Sequence, residues 1–165
     1  MARSLGGLLA LGMLAVVVGC SAPPPPPPPT VVALTLTAAA NANPDPAGQG
    51  SPVVVRVYQL ASTAAFSNAE FFDLFNQDAA TLKSDLIKRD DIVLAPGQTK
   101  TTTLMPTDQV KAIGIFAGYR DYAHAVWRGS IEVPPHKTTK ATITAGPAGI
   151  VMPPPPPAAG SAAGS

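Results

Sequence analysis

The segment VVVRVYQL, Val53 to Leu60, restricts the folds open to this chain more than any other. Val53, Val55 and Val57 fall on one face at a period of two, and Val54, Arg56, Tyr58 and Leu60 fall on the other, as in a strand built into a sheet. Just before it, Pro44, Pro46 and Pro52 lack main-chain donors, while Gly48 and Gly50 tolerate dihedrals that other residues avoid. Residues 43–52 therefore break any regular element and read as a loop that delivers the chain into a core strand.

The remainder of the 165 residues divides by composition. Neither end is domain-like, so the folded part is expected at 31–146, within the usual size of a single core and needing no metal staple or second domain. The formal charge is +1, counting Arg3, which sits in a segment expected to be removed; ten basic and ten acidic side chains then remain. The one basic pair, Lys88-Arg89, is followed at once by Asp90-Asp91, which cancels its field and argues against a nucleic-acid partner.

Residues 1–19 read as a signal peptide: a basic Arg3, an apolar run from Leu5 to Val18 and small residues before Cys20. The run is short for a bilayer span and leads into a polar proline tract, which disfavours a retained transmembrane helix. Val17-Val18-Gly19-Cys20 resembles the bacterial lipobox, which implies that Cys20 becomes an acylated first residue. A single cysteine also rules out an intramolecular disulfide. Ser21 in place of an aspartate implies forwarding to the outer membrane, facing the periplasm. Pro23 to Pro29 extend residues 20–30 into a stiff polyproline stalk, about 20 Å long. Residues 147–165, with Pro153 to Pro157 followed by Ala, Gly and Ser, read as a disordered tail.

Within the folded part, Val32, Leu34 and Leu36 alternate with Ala33, Thr35 and Thr37 and mark a half-buried first strand. A helical insertion is expected at about 66–88: Ser67 and Glu70 read as a capping box with Phe66 stapled on Phe71, and Asp78 reads as the N-cap of a second short helix over 79–88. Phe71, Leu74 and Phe75 share one face, with Phe72 at its border, and read as core packing, with an aromatic-lined ligand groove as the alternative. Pro96-Gly97 between residues 92–94 and 99–104 reads as a hairpin turn. Strands at 112–119 and 125–133 are expected to pair, and a last strand is expected at 138–145. The sum is a mostly β fold, a β-sandwich of about seven or eight strands with a short helical insertion between early strands.

Catalytic constellations are missing from the sequence. His124 and His136 have no ligand at a metal-like spacing, and neither a nucleophile elbow nor a phosphate-binding glycine loop is present. Glu70 with Asp73, and Asp90 with Asp91, are the only candidate acid–base pairs, and they read more simply as helix-terminus and ion-pair groups. Arg120 with Asp121, and Arg128 with Glu132, read as surface ion pairs, with an interface as the alternative because Arg, Tyr and Trp concentrate there.

Taken in order behind the lipobox, Asn43-Pro44-Asp45, Gly50-Ser51-Pro52, Val53 to Leu60, Phe71-Phe72-Asp73-Leu74, Pro96-Gly97, Tyr119-Arg120-Asp121 and Trp127-Arg128 resemble the TssJ family of type VI secretion outer-membrane lipoproteins. The resemblance implies a transthyretin-like β-sandwich with added helices, no enzymatic activity and no cofactor. It also implies a role in anchoring and assembling the trans-envelope TssJ-TssL-TssM complex by binding the periplasmic C-terminal region of the TssM inner-membrane protein. In that family the first inter-strand loop meets the partner; here it maps onto Asn43, Pro44, Asp45, Pro46, Ala47, Gly48, Gln49, Gly50 and Ser51. The proline stalk, the tail and the lack of a basic residue at Ala47 to Gly50 depart from the family pattern. The competing expectation is a periplasmic, lipid-anchored small-ligand-binding protein, which a closed aromatic core would exclude.

Overall fold

A computed structural model describes residues 24–154 of the chain. The expected signal peptide, the acylation at Cys20 and the end of the tail from 155 onward lie outside the described residues. The elements are β1 (Val31–Ala38), β2 (Val53–Leu60), α1 (Ala64–Asn68), α2 (Phe71–Leu82), a single 3-10 turn (Lys83–Asp85), β3 (Leu86–Leu94), β4 (Thr99–Leu104), β5 (Ala112–Gly118), β6 (Arg128–Glu132), β7 (Thr138–Gly146) and β8 (Gly149–Val151).

Two four-stranded sheets, ordered β4-β1-β7-β8 and β3-β2-β5-β6, face each other. All strand pairs are antiparallel except β1 with β7, which run parallel from Val31 beside Thr138 to Ala38 beside Ala145. The two alternations dictate the core. Val32, Leu34 and Leu36 from one sheet and Val53, Val55 and Val57 from the other are buried, and they meet Ile113, Ile115, Ala141 and Ile143 between the layers. Each such Val, Leu or Ile side chain contributes about 1.5–3 kcal/mol of transfer free energy.

The opposite face of the second sheet is also covered. Tyr58, Leu60 and Phe116 turn outward from β2 and β5 and are buried under Phe66, Phe71, Leu74 and Leu82 of the helical layer. This explains why β5, AIGIFAG, is apolar without alternation: both of its faces are enclosed. Gly114 is a close-approach position, since a Cβ there would lie 2.9 Å from Leu60 Cδ1 and 3.1 Å from the Phe66 ring. Only hydrogen at that position lets α1 sit on the sheet.

Several local expectations are corrected. The helical insertion spans 64–85 rather than 66–88. Ser67 lies inside α1, and α2 begins after Glu70, whose main-chain N–H donates to the Asp73 carboxylate at 3.3 Å. The carboxylate three residues into the helix therefore caps it, and Phe66 packs against Tyr58 with ring centroids 5.7 Å apart. Gln77, at φ −145° and ψ 39°, kinks α2 just before Asp78, but the helix ends at Leu82 instead of 88. Residues 86–88 are drawn into β3 because β2 offers main-chain partners along its whole length, as far as Leu60 beside Leu86.

The expected hairpin across Pro96-Gly97 is an arch between sheets. β3 pairs with β2 and β4 pairs with β1, so the turn carries the chain from one layer to the other. Crossing over satisfies one edge in each sheet, whereas a hairpin that placed β4 on β3 would leave that edge of β1 unpaired. The expected pairing of β5 with β6 is present. Beyond the expected boundary at Gly146 the chain does not simply trail off: Gly149–Val151 forms β8 on β7, and Ile150 is buried. Met152 then lies over Gly129.

Candidate functional site at the distal pole

Strand directions sort the loops by pole. The proline stalk enters β1 at Thr30, beside the β6–β7 connection: the His136 N–H donates to Thr30 Oγ1 at 2.8 Å, and its Nδ1 lies 3.0 Å from the Pro28 carbonyl. At the opposite, distal pole gather the β1–β2 loop, the β3–β4 arch and the β5–β6 connection.

The β1–β2 loop carries the sequence-derived candidate residues, and it is tightly organised. Asp45 Oδ1 accepts the N–H groups of Ala47 and Gln49, each at 2.9 Å, while the Gly48 N–H donates to the Asp45 carbonyl at 2.9 Å. Gly48 takes φ 80°, where a glycine costs least. Gly50 has no room for a Cβ, which would collide with the Ala40 carbonyl.

Asn43 fixes the base of the loop. At φ 46° it adopts the left-handed region, its Nδ2 donates to the Pro52 carbonyl at 2.9 Å, and its Oδ1 accepts the Arg120 main-chain N–H at 2.8 Å. Asn43 is buried, Pro44, Asp45, Gly50 and Ser51 are half-buried, and Pro46, Ala47, Gly48 and Gln49 are exposed at the tip. The candidate set thus separates into a clasp and a presented surface. Tyr119, next to Arg120, donates its hydroxyl to the Gly146 carbonyl at 3.0 Å. Burial pushes that hydroxyl up to about 12, so it remains a donor at ordinary pH.

Beside the loop lies an aromatic shelf. Phe71 is the hub: its ring stacks on Tyr122 at 4.6 Å and on Phe75 at 5.7 Å, and meets Trp127 edge-on at 5.3 Å. Phe72 and Tyr122 meet edge-on at 4.9 Å. The expected core face is therefore only partly buried: Phe71 and Leu74 are enclosed, but Phe72 is 51% and Phe75 43% exposed. With Asn43, Gly118, Tyr119, Arg120 and Tyr122 they border an open groove of about 360 Å³. The rings are neither sealed into the core nor arranged around an enclosed cavity.

The shelf is held to the sheet by charge. Arg56 Nη1 donates to the carbonyls of Leu74 and Phe75 at 2.7 and 3.0 Å, satisfying acceptors freed by the kink at Gln77. Asp78 accepts from Arg89 at 2.8 Å and from the Tyr58 hydroxyl at 2.9 Å. Burial works to raise the pKa of Asp78, but the hydrogen bonds from Arg89 and Tyr58 outweigh it and hold the carboxyl below its ordinary value. Burial pushes the Tyr58 hydroxyl upward.

Other polar candidates have structural partners. Arg128 does not pair with Glu132; its guanidinium donates to the carbonyls of Phe66 and Ala69 and lies 4.6 Å over the Trp127 ring. Asp121 pairs with His124 at 2.8 Å rather than with Arg120. Asp90 pairs with Lys88, and Asp91 with Arg56 and Arg89. Among the described residues no cluster of three or more metal-ligating side chains occurs, and no helix is long and apolar enough to cross a membrane. The sequence reading missed the Asn43 clasp, whose partner lies 77 residues away, and the presentation of Phe72 and Phe75. The unusual Asn-Pro pair was a local signal for the first; nothing local signals the second.

Among the described residues, eight strands in two sheets with a short helical insertion form a β-sandwich whose distal pole presents an ordered, partly aromatic surface. Residues 30–148 match the family model described as type VI secretion lipoprotein (VasD, EvfM, TssJ), and the chain belongs to that family. Among solved structures it is similar to the type VI lipoprotein TssJ1 from Pseudomonas aeruginosa, at 37% identity and a TM-score of 0.73, covering 78% of this chain and 100% of that one. It is also similar to Serratia marcescens Lip, a membrane-bound component of the type VI secretion system, at 28% identity and a TM-score of 0.71, covering 76% and 99%. A chain in a structure described as the TssM C-terminal domain from EAEC matches at 25% identity and a TM-score of 0.64, covering 76% and 98%. No curated protein matches the chain.

Proposed function

We propose that this lipoprotein is anchored by acylated Cys20 in the outer membrane, facing the periplasm, and helps assemble the type VI trans-envelope complex. It does so by binding the periplasmic C-terminal region of a TssM-type inner-membrane protein, within a TssJ-TssL-TssM assembly. The observation that carries this reading is the match to a chain in a structure described by the TssM C-terminal domain, joined to membership of the lipoprotein family. The geometry supports it: the exposed tip of Pro46, Ala47, Gly48 and Gln49 is held out by the Asp45 and Asn43 hydrogen bonds at the pole away from the stalk. Acyl chains contribute about 0.8 kcal/mol per buried methylene, so two or three anchor the domain stably.

The test combines two variants of the full-length chain. Cys20→Ala is expected to lose fatty-acid labelling and membrane fractionation, and an unlabelled chain that still sediments with outer membranes removes the anchor from the reading. Replacing residues 46–49 with a Gly-Ser linker is expected to reduce co-purification of the TssM-type partner; undiminished recovery removes the loop from the mechanism. The open aromatic groove favours one second reading, a lipid-anchored small-ligand-binding protein. A small molecule retained through native purification, and lost in Phe72→Ser with Phe75→Ser, would favour it.

A further inference from the structure

Three large rings stand exposed on one side of the distal pole: Phe72, Phe75 and Tyr122 at 51%, 43% and 38%. Phe75 and Tyr122 stack on Phe71 and Phe72 meets Phe71 and Tyr122 edge-on, so little order remains to be imposed when something covers them. Among the described residues, the groove they border has one charged lining side chain, Arg120. Arg56 and Arg89 are tied to Asp78 and Asp91, and Arg128 is tied to main-chain carbonyls. Arg120 is exposed and, among the described residues, has no ion pair, since Asp121 beside it pairs with His124. Its main-chain N–H is held by Asn43, so the shelf and the β1–β2 loop are one continuous rigid surface.

We infer that this shelf is a second docking subsite for the TssM-type partner, and that it takes a segment carrying an apolar side chain with a carboxylate one or two residues away. The inference rests on the partner proposed above. The apolar side chain covers the Phe72–Phe75–Tyr122 rings, and the carboxylate meets the Arg120 guanidinium, whose fork suits bidentate pairing. Charge and position select this occupant. A second copy docked about a twofold axis brings its own Arg120 to the same rim, placing like charges together. The shelf lies at the pole opposite the stalk, so the bilayer that holds the anchor does not reach it.

The experiment places a photo-cross-linking benzoylphenylalanine at Phe72 or at Gln49 of the full-length chain, expressed with a tagged TssM-type partner. The expected result is cross-linking from both positions, with the Phe72 adduct on a partner peptide that holds an apolar residue next to Asp or Glu. Co-purification is expected to fall about tenfold in Phe72→Ser with Phe75→Ser, and further in Arg120→Glu than in Arg120→Gln, with the difference between these two shrinking at high salt. Arg120 is solvent-exposed, so its variants report docking even if the serine pair fails to fold. Cross-linking from Gln49 alone, with unchanged recovery of the Arg120 variants, overturns the shelf and leaves the loop reading standing. Cross-linking from neither position overturns both. An adduct from Phe72 only to a second copy, or a groove filled by a small molecule, also overturns the subsite.

Discussion

Arg89 and Asp78 meet at 2.8 Å across the seam between β3 and α2, and the Tyr58 hydroxyl closes the same carboxylate from β2 at 2.9 Å. Three elements are thereby fastened by one nearly buried acid. The site is largely enclosed on the Asp78 side, whereas Arg89 reaches solvent, so the pair lies between a surface bridge and a fully buried one.

Replacing that acid by Asp78→Asn leaves Arg89 and Arg56 with only the more exposed Asp91 as a shared counter-charge. The expected cost is about 2–3 kcal/mol, below that of a fully enclosed pair because Arg89 is partly screened. The sign of the pH dependence follows from the lowered pKa. A carboxyl whose folded pKa is depressed contributes stability above its unfolded value, about 3.9, and loses it as pH falls toward the folded value. Urea titrations between pH 7 and pH 2.5 are expected to show a steeper acid loss in the parent chain than in Asp78→Asn.

The Asn43 clasp predicts a separation between stability and binding. Asn43→Ala removes two partly buried hydrogen bonds and a residue suited to φ 46°, for an expected loss of about 1–3 kcal/mol in denaturant unfolding. Partner co-purification is expected to fall at temperatures well below the melting transition, because the loop is released from the β5–β6 connection while the sandwich remains folded.

Two glycines of the same loop are expected to respond differently. At Gly48 there is open space and only the positive φ opposes a side chain, so Gly48→Ala is expected to cost about 1 kcal/mol. At Gly50 the added methyl would collide with the Ala40 carbonyl. Gly50→Ala is expected to cost more than Gly48→Ala and to increase amide exchange through residues 39–52; equal melting temperatures for the two variants would contradict the packing described.

The short eighth strand makes the C-terminal boundary measurable. A chain ending at Gly146 loses β8, the buried Ile150 and the hydrogen bond from its N–H to the Val126 carbonyl at 2.7 Å. It is expected to be less stable by about 2–4 kcal/mol than a chain ending at Pro154, which keeps all three.

What the sequence disclosed was what local pattern controls. The alternations of Val32-Leu34-Leu36 and Val53-Val55-Val57 placed both inner faces of the sandwich, because a period of two leaves one arrangement that buries them. The layer to which β4 belongs was hidden, since Pro96-Gly97 makes a tight turn equally well within one sheet or between two. The start of α2 was misplaced by three residues because Ser67 and Glu70 mimic a cap, and the competing Glu70–Asp73 contact wins once Phe66 seats over Gly114. At the pole, the loop was recognisable from its prolines and glycines. Its attachment through Asn43 to Arg120 depends on a contact that exists only after both sheets have formed.

The position of β1 bears on how the domain carries load. The stalk joins its first residues, the distal loop leaves its last, and β1 is hydrogen-bonded to β4 on one side and to β7 on the other along its length. A pull between stalk and loop therefore runs along β1 itself, where the covalent backbone of an already extended strand carries it, while the ladders to β4 and β7 hold that strand straight. The connection between stalk and distal loop is thus a single strand at nearly full extension, with little length left to give under load.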